Sequence, residues 1–206
     1  MSPNGQLTDT QQMIYSAFNS QVYVSDRMDV QSTPLYDTVT LAAGATVSTL
    51  STALFTNVGA ASGKTLAQTN MTQSQKLPAP EAFSVFGFRL RWQENVNIAD
   101  LYTVLANFAF SFYLGQKRYQ LGPLWFYNAG GGINAFTTST ATTVLNNGMP
   151  TRESMHKLAI PVVIENQMTF YGQFEGTQQT LLASGAGGTG LTFQMVLDGL
   201  YARGVQ

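Results

Sequence analysis

The sequence predicts an all-β fold, a sandwich of two antiparallel sheets with about eight strands and one short helix. Several segments alternate apolar and polar residues with a period of two, which is typical of strands with one buried face. Their spacing is irregular and their connections are long, which favours Greek-key crossings between two sheets. The regular alternation of strands and helices that a parallel α/β fold requires is missing from the sequence.

Residues 1–34 are predicted to form an N-terminal arm, and residues 35–206 the β domain. Polar residues dominate the arm. A short amphipathic helix is predicted at residues 8–18, where Ile14 and Phe18 lie on one side. Because apolar side chains are unfavourable in water, we expect the arm to become ordered against a neighbouring chain.

The β domain contains the strand patterns. The predicted strands are residues 38–41, 46–50, 82–93, 108–114, 119–127, 157–164, 167–175 and 191–201. The core face of the strand at 82–93 is predicted to contain Phe86, Phe88, Leu90 and Trp92. One face of the strand at 157–164 is predicted to contain Leu158, Ile160, Val162 and Ile164.

The connections are predicted from turn and cap residues. Glu165 and Asn166 are predicted to join two strands as a short hairpin. Pro123 has no N–H to donate, so its strand is expected at a sheet edge or a bulge. Residues 57–75 are predicted to be a long loop or two weak strands, and residues 128–150 another long polar loop.

The one predicted helix spans Ile98–Asn107, with Asn97 as its N-cap. Its apolar side chains recur at helical spacing. The apolar face of this helix is predicted to contain Ile98, Leu101, Tyr102 and Leu105.

The composition differs from that of an ordinary soluble monomer, because charged residues make up only 10% of the chain. About 25% is usual. Uncharged polar groups cost less to bury than ions, so this bias favours a chain that lies against neighbours, although a secreted β-protein can share it. The net charge of -1 excludes a strongly basic nucleic-acid binder, but it does not exclude local contacts with a packaged genome.

Cysteine is absent from the sequence, which excludes disulfides and thiolate metal sites. No apolar run approaches the roughly 20 residues that a membrane-spanning helix needs. The segment MSPNGQLTDTQQ lacks the basic and apolar regions of a signal peptide. We therefore expect synthesis in the cytosol without export.

Two glycine-rich segments resemble nucleotide-binding motifs only superficially. Residues 59–65 have three residues between their glycines where a P-loop needs four, and the segment that follows is a poor helix. Residues 184–190 precede a strand, whereas a dinucleotide fingerprint follows a strand and opens a helix. Both segments are predicted to be loops.

The titratable residues do not form a recognisable catalytic motif, so we predict no enzyme, cofactor or metal site. His156 is the only histidine and is expected to be a surface or interface residue. Glu165 and Glu175 are predicted to lie at opposite ends of one strand, roughly 30 Å apart at ~3.3 Å per residue. Glu94 and Asp100 flank the start of the predicted helix.

Four basic residues are candidates for contacts with other molecules. Arg89 and Arg91 are predicted to share the outward face of one strand, and Lys117 and Arg118 to form a basic turn. These side chains are expected to meet phosphates or carboxylates of a neighbour, the alternative being a solvated polar face.

The C-terminal third resembles a known family. The segments are LAIPVVI at 158–164, ENQ at 165–167, MTF at 168–170 and FQMVLDGLYAR at 193–203. They resemble the closing strands of single jelly-roll major capsid proteins from small tailless icosahedral bacteriophages, over about a quarter of the chain. The resemblance implies an eight-stranded antiparallel jelly roll that self-assembles into an icosahedral virion shell enclosing the genome.

The resemblance also implies where the protein acts and with what. It implies a virion protein made in the host cytoplasm, with copies of itself as partners and weak contacts with packaged nucleic acid. A second capsid or vertex protein is left open. Many capsid proteins have a basic N-terminal arm, which this chain lacks, so the arm is expected to tie subunits together and not to bind the genome by charge.

Two other functions remain alternatives. One is a viral or cell-surface jelly-roll module that binds a receptor or carbohydrate, for which exposed aromatic residues would be needed on one sheet. The candidates are Tyr113, Tyr119, Tyr127 and Tyr171. The other is a jelly-roll hydrolase, which needs two facing carboxylates. Asp198 is expected to be structural, accepting backbone N–H bonds, and not catalytic.

Overall fold

A computed structural model describes nine parts of the chain. They are residues 28–42, 46–47, 54–55, 63–92, 96–127, 134–136, 143–146, 156–181 and 191–204. The predicted helix at residues 8–18, most of the predicted arm and the glycine-rich segment at 184–190 lie outside them, so these predictions remain untested.

The described residues are mostly β-structure. The first strands are β1 (Met28–Gln31), β2 (Leu35–Leu41), β3 (Thr46–Val47), β4 (Ala82–Trp92) and β5 (Val96–Asn97). Helix α1 (Ile98–Asn107), β6 (Phe108–Leu114), β7 (Lys117–Pro123) and a 3-10 helix (Leu124–Tyr127) follow. The remaining strands are β8 (Asn134–Phe136), β9 (Thr143–Asn146), β10 (His156–Ile164), β11 (Phe170–Gly176), β12 (Gln179–Thr180) and β13 (Leu191–Gly204).

The larger sheet has five strands and is antiparallel throughout. β13 lies at its centre. β1 and β2 pair with successive parts of β13 on one side, β4 pairs with it on the other, and β10 follows β4 at the far edge. The long C-terminal strand therefore holds both the beginning and the middle of the chain in register.

The second sheet has three antiparallel strands in the order β11-β6-β7. Leu54 extends it by one bridge to Gly172 of β11. Two smaller antiparallel sheets pair β12 with β3 and order β5-β9-β8. The all-β class is thus confirmed, with thirteen strand segments of very different lengths in the described residues.

The core lies between the two larger sheets and is rich in phenylalanine. The ring of Phe88 on β4 lies 5.7 Å from that of Phe110 and 5.3 Å from that of Phe112, both on β6. Phe174 on β11 and Phe193 on β13 lie 4.9 Å apart with nearly perpendicular rings. All five are buried, so aromatic edge-to-face packing joins the two sheets.

The predicted helix is confirmed to the residue. Leu101, Val104 and Leu105 are buried. Asp100 lies in the first turn, where a negative charge interacts favourably with the helix dipole. Tyr102 does not join the apolar face as predicted, because it is 57% exposed. No helix in the described part of the chain is long and apolar enough to cross a membrane.

A bulge in β4 corrects the prediction for Phe86, whereas Phe88, Leu90 and Trp92 lie in the core as predicted. Along β13, Asp198 pairs with Gly87 and the next residue, Gly199, with Val85, which leaves Phe86 as an extra residue. A bulge reverses which face the following side chains occupy. Phe86 accordingly leaves the core face predicted for it and packs with a small separate cluster. That cluster contains Val30, Ala82, Val163, Leu200 and Ala202.

A matching irregularity in β10 corrects the prediction for Ile160. Lys157 pairs with Gly87 and Val162 with Val85, so four residues of β10 face one of β4. Pro161 lies in this stretch and cannot donate to the ladder. Ile160 is consequently 74% exposed and not in the core.

The predicted hairpin at Glu165 and Asn166 is wrong. β10 pairs with β4 in the larger sheet, whereas β11 pairs with β6 in the smaller one, so the link crosses between sheets. The crossing is fixed by backbone hydrogen bonds of 2.9 Å from Gln167 N to Leu77 O and 2.7 Å from Gly115 N to Thr169 O. Long-range contacts, and not the turn itself, decide this connection.

The predicted loops and strand ends also change. Strands β8 and β9 lie inside residues 128–150, which had been predicted as a loop. The strand predicted at 119–127 ends at Pro123, and its last four residues form the 3-10 helix instead. Residues 63–76 consist of turns and isolated bridges, in agreement with the predicted loop.

Candidate interaction surface

An exposed apolar surface lies where the second sheet ends. We call it the aromatic edge and define it by Tyr119, Leu121, Trp125 and Phe126. These side chains are 43% to 59% exposed. β7 is the last strand of its sheet among the described residues, and the 3-10 helix continues directly from it.

The local sequence explains why these side chains point outward. Pro123 cannot continue the ladder, and the chain turns into the 3-10 helix. With three residues per turn, Leu124 and Tyr127 fall on the same side and are buried, so Trp125 and Phe126 face solvent. Gly122 makes room for Tyr127, since a Cβ at this position would lie 2.7 Å from the Tyr127 hydroxyl.

His156 packs behind the aromatic edge. Its ring lies 4.4 Å from that of Phe126 and 5.4 Å from that of Tyr127. The Gln120 side-chain nitrogen donates to the Tyr127 hydroxyl at 3.1 Å and lies 3.2 Å from Nε2 of His156. With the amide in this orientation, Nε2 of His156 accepts, which requires a neutral ring protonated at Nδ1.

The pKa directions agree with an apolar environment. Burial lowers the pKa of His156 below its ordinary value, because the charged imidazolium loses hydration there. Burial raises the pKa of Tyr127, and its hydrogen bond from Gln120 opposes that change in part. His156, predicted to be a surface or interface residue, is half-buried behind the aromatic edge.

The aromatic edge is flanked by positive charge. Lys117, Arg118 and Lys157 are all exposed, and Lys117 Nζ lies 5.0 Å from the centre of the Tyr119 ring. Neither β7, the 3-10 helix nor β10 contains an acidic residue. The surface therefore combines apolar and basic character and suits an apolar partner with acidic flanks.

In the larger sheet, the edge formed by β2, on the far side from β10, is covered by other parts of the chain. Asn70 closes the β2 edge, accepting a 3.0 Å bond from Tyr36 N and donating one of 2.7 Å to Pro34 O. Asp37 is buried and accepts from Phe55 N at 2.8 Å and from Lys64 Nζ at 2.6 Å. Backbone groups that an edge strand would leave open are thus bonded within the chain.

This arrangement accounts for the segment that resembled a P-loop. Lys64 stands where a P-loop has its lysine, and it forms an ion pair with Asp37. Thr65 opens a turn, not a helix, with its carbonyl accepting from Gln68 N at 2.9 Å. In the described residues the segment thus fixes the β2 edge, in agreement with the loop prediction.

The two arginines of β4 have different surroundings. Arg89 donates to both carboxylate oxygens of Asp198 on β13, at 2.5 Å and 2.7 Å. Asp198 therefore pairs with a guanidinium and not with the backbone N–H groups expected for it. Gly199 follows at the bulge, where a Cβ would overlap the carbonyl oxygen of Ser84. Arg91 is exposed and lines an open pocket.

The acidic residues considered for hydrolysis are not brought together. Glu175 accepts bonds from Ser111 at 3.2 Å and Tyr113 at 3.4 Å in the smaller sheet, while Glu165 follows β10 of the larger one. Asp100 is buried, and Glu94 lies outside the described residues. Within the part of the chain that the structure describes, no three His, Cys, Asp or Glu residues are grouped to hold a metal.

The candidate carbohydrate platform is divided. Tyr113 and Tyr171 stack on each other at 4.8 Å between ring centres, so each covers one face of the other. Tyr127 is buried, and only Tyr119 belongs to the aromatic edge. Sequence reasoning missed Leu121, Trp125 and Phe126 as surface residues, and the signal for them was Gly122-Pro123, which ends the strand before them.

No protein-family model matches the chain, and no curated protein is significantly similar to it.

Proposed function

We propose that this chain is the structural subunit of an icosahedral shell, a jelly-roll protein that self-assembles into a virion capsid around a genome. The aromatic edge carries this proposal. Four large apolar side chains are exposed on the last strand of one sheet and on the 3-10 helix that directly follows it, and exposed apolar surface marks sites where proteins associate. A lone monomer gains nothing from leaving them in water.

The strand order supports the jelly-roll part of the proposal. Seven strands have seven or more residues, namely β2, β4, β6, β7, β10, β11 and β13. Adding the bridge at Leu54 makes eight positions along the chain. When these positions are numbered one to eight along the chain, neighbouring strands of the larger sheet follow the order 1-8-3-6 (β2, β13, β4, β10). Neighbouring strands of the smaller sheet follow the order 2-7-4-5 (Leu54, β11, β6, β7). Two nested Greek keys produce this order.

The composition supports association as the function. Only 10% of the residues are charged, so few ions must be dehydrated when copies meet. In the proposed contact, the aromatic edge of one copy packs against a different surface of the next. Such heterologous contacts close into a shell when their rotations permit, and many weak contacts together make it stable.

The test compares two variants that remove exposed aromatic residues. Trp125→Ser with Phe126→Ser alters the aromatic edge, and Tyr102→Ser is the matched control on α1, where the exposure is similar. We expect the wild type and the control to form large closed particles by sedimentation velocity and negative-stain microscopy. The edge variant is expected to remain small and folded.

One outcome would overturn the proposal, and two more would redirect it. A wild type that stays monomeric at every salt concentration and pH would exclude a shell subunit. Glycan-array binding by such a monomer would favour the alternative, a receptor- or carbohydrate-binding module. Equal assembly by the edge variant and the control would exclude the aromatic edge as the contact.

A further inference from the structure

An open pocket of about 400 Å³ lies beside Arg91, next to the β2 edge of the larger sheet. β2, β4, β13 and the loop before residue 70 all contribute to it. Its lining includes Thr38, Gln68, Arg91, Trp92, Thr192 and Gln194. Ala67 and Phe193 complete the lining, so the walls are mainly apolar, with several polar groups, one cation and one indole.

The walls are fixed by hydrogen bonds within the chain. Gln194 Nε2 donates to Thr38 Oγ1 at 3.2 Å and to Ala67 O at 3.0 Å. Thr38 Oγ1 in turn donates to Gln68 O at 2.7 Å. These bonds hold the pocket in shape without a ligand, which lowers the cost of ordering it when one binds.

Arg89 and Arg91 differ in whether a carboxylate of β13 lies within reach. Arg89 lies opposite Val196 of β13 and takes its carboxylate from Asp198, two residues further along that strand. Arg91 lies opposite Gln194, so the equivalent position is Val196, which has no polar side chain. Among the described residues, Arg91 has no carboxylate partner, and its side chain is exposed beside the pocket.

We infer that this pocket binds a single carboxylate, with the Arg91 guanidinium as its two-point donor. A guanidinium matches the two oxygens of a carboxylate in the way that Arg89 matches Asp198. The pocket lining has one cation and so balances one negative charge, whereas a nucleic-acid strand is held by several. The carboxylate comes either from an acidic residue of a second copy or from a small organic acid.

The first experiment tests the pocket itself and does not depend on assembly. The chain has two tryptophans, so Trp125→Phe leaves Trp92 in the pocket wall as the only one. In this background, sodium acetate is titrated against sodium chloride at equal ionic strength. We expect a saturating change in Trp92 emission together with a rise in Tm, as ligand linkage requires.

Matched variants separate site binding from a general salt effect. Arg91→Gln is expected to lose both acetate responses, and Arg203→Gln, an exposed arginine elsewhere on β13, to keep them. Inorganic phosphate is expected to act only at higher concentration. No acetate response in either measurement, an equal response in Arg91→Gln, or tighter binding of phosphate would each overturn the inference.

The second experiment identifies the source of the carboxylate, and this part rests on the proposed function. If a second copy supplies it, Arg91→Gln weakens self-association about tenfold by sedimentation, and excess acetate weakens the wild type similarly. If assembly is unchanged while acetate still binds, the pocket takes a small acid. A chain that binds acetate but never associates overturns the shell proposal and leaves the pocket supported.

Discussion

The β2 edge and the aromatic edge are both sheet edges, but the first is covered by the chain itself and the second is exposed. Both lie at the end of a sheet, where unpaired groups and side chains can attract another chain. Asn70 and the Asp37–Lys64 ion pair close the β2 edge with bonds inside the chain. At the aromatic edge, apolar rings face water with lysines beside them. Under the proposed function, contacts between copies would therefore have a direction, because one edge is covered and the other is exposed.

The largest effect is expected from Asp37→Asn, which removes the buried carboxylate of the covered β2 edge. The amide places a donor against either Phe55 N or Lys64 Nζ, so one of these groups loses its acceptor and the part-buried Lys64 loses its counter-charge. We expect the free energy of unfolding in urea to fall by about 3 kcal/mol.

The control for Asp37→Asn is Asp29→Asn, which removes the exposed 3.3 Å pair with Arg203. Its cost is expected to stay below about 0.5 kcal/mol. Equal costs for the two variants would mean that the covered edge is not held by its buried carboxylate.

A smaller loss is expected from Asn70→Ala, which removes the two side-chain bonds to β2. Two neutral hydrogen bonds of this kind contribute about 1–2 kcal/mol. Urea unfolding measures the loss, and hydrogen exchange should show faster exchange at Tyr36 N than in the wild type. Unchanged protection of that N–H would contradict the assigned closure.

At the aromatic edge, stability should depend on pH through His156. The unfolded histidine titrates near 6.5, and burial lowers the pKa in the folded chain, so the unfolded state binds more protons as the pH falls below about 6.5. The contribution of the neutral ring is therefore present above that pH and is lost on acidification.

Comparing the wild type with His156→Gln isolates this contribution, because the carboxylates titrate alike in both. The wild type is expected to lose more stability than the variant between pH 7.5 and pH 5, by urea unfolding. A stability difference that does not change with pH, or that changes in favour of the wild type on acidification, would contradict the prediction.

The smallest effect on folding is expected from Leu121→Thr at the aromatic edge. Leu121 is half exposed, so the free energy of unfolding should change by no more than about 0.5 kcal/mol, while self-association weakens. Val85→Thr is the control, because it places a hydroxyl in a fully buried position and should cost clearly more. A similar cost for both would mean that Leu121 is not a surface residue.

The sequence predicted those elements that depend on local pattern. Helix α1 and strand β6 agree with their predicted bounds, since each has an uninterrupted period of its own. The crossing after Ile164 was missed, because the pairing of β10 and β11 is decided by contacts far away in the sequence. The bulge at Phe86 was missed for the same reason.

The candidate surface was harder to predict than the fold. A tryptophan beside a phenylalanine is a strong signal of burial in sequence alone, and exposure of Trp125 follows only from the 3-10 turn after Pro123. The pairing of Arg89 with Asp198 was likewise not predictable, because these residues meet only through the register of β4 and β13. Charge scarcity, by contrast, is visible in the composition, and the association with other chains that it favours stays a prediction.

The bulge at Phe86 makes β4 a strand of two phases. Before it, odd-numbered positions such as Phe83 and Val85 face the core; after it, even-numbered positions such as Phe88 and Leu90 do. Insertions or deletions of one residue on either side would turn half of the strand inside out unless the bulge moved with them. Substitution can therefore change the outer chemistry of each half separately, whereas the length of β4 is fixed.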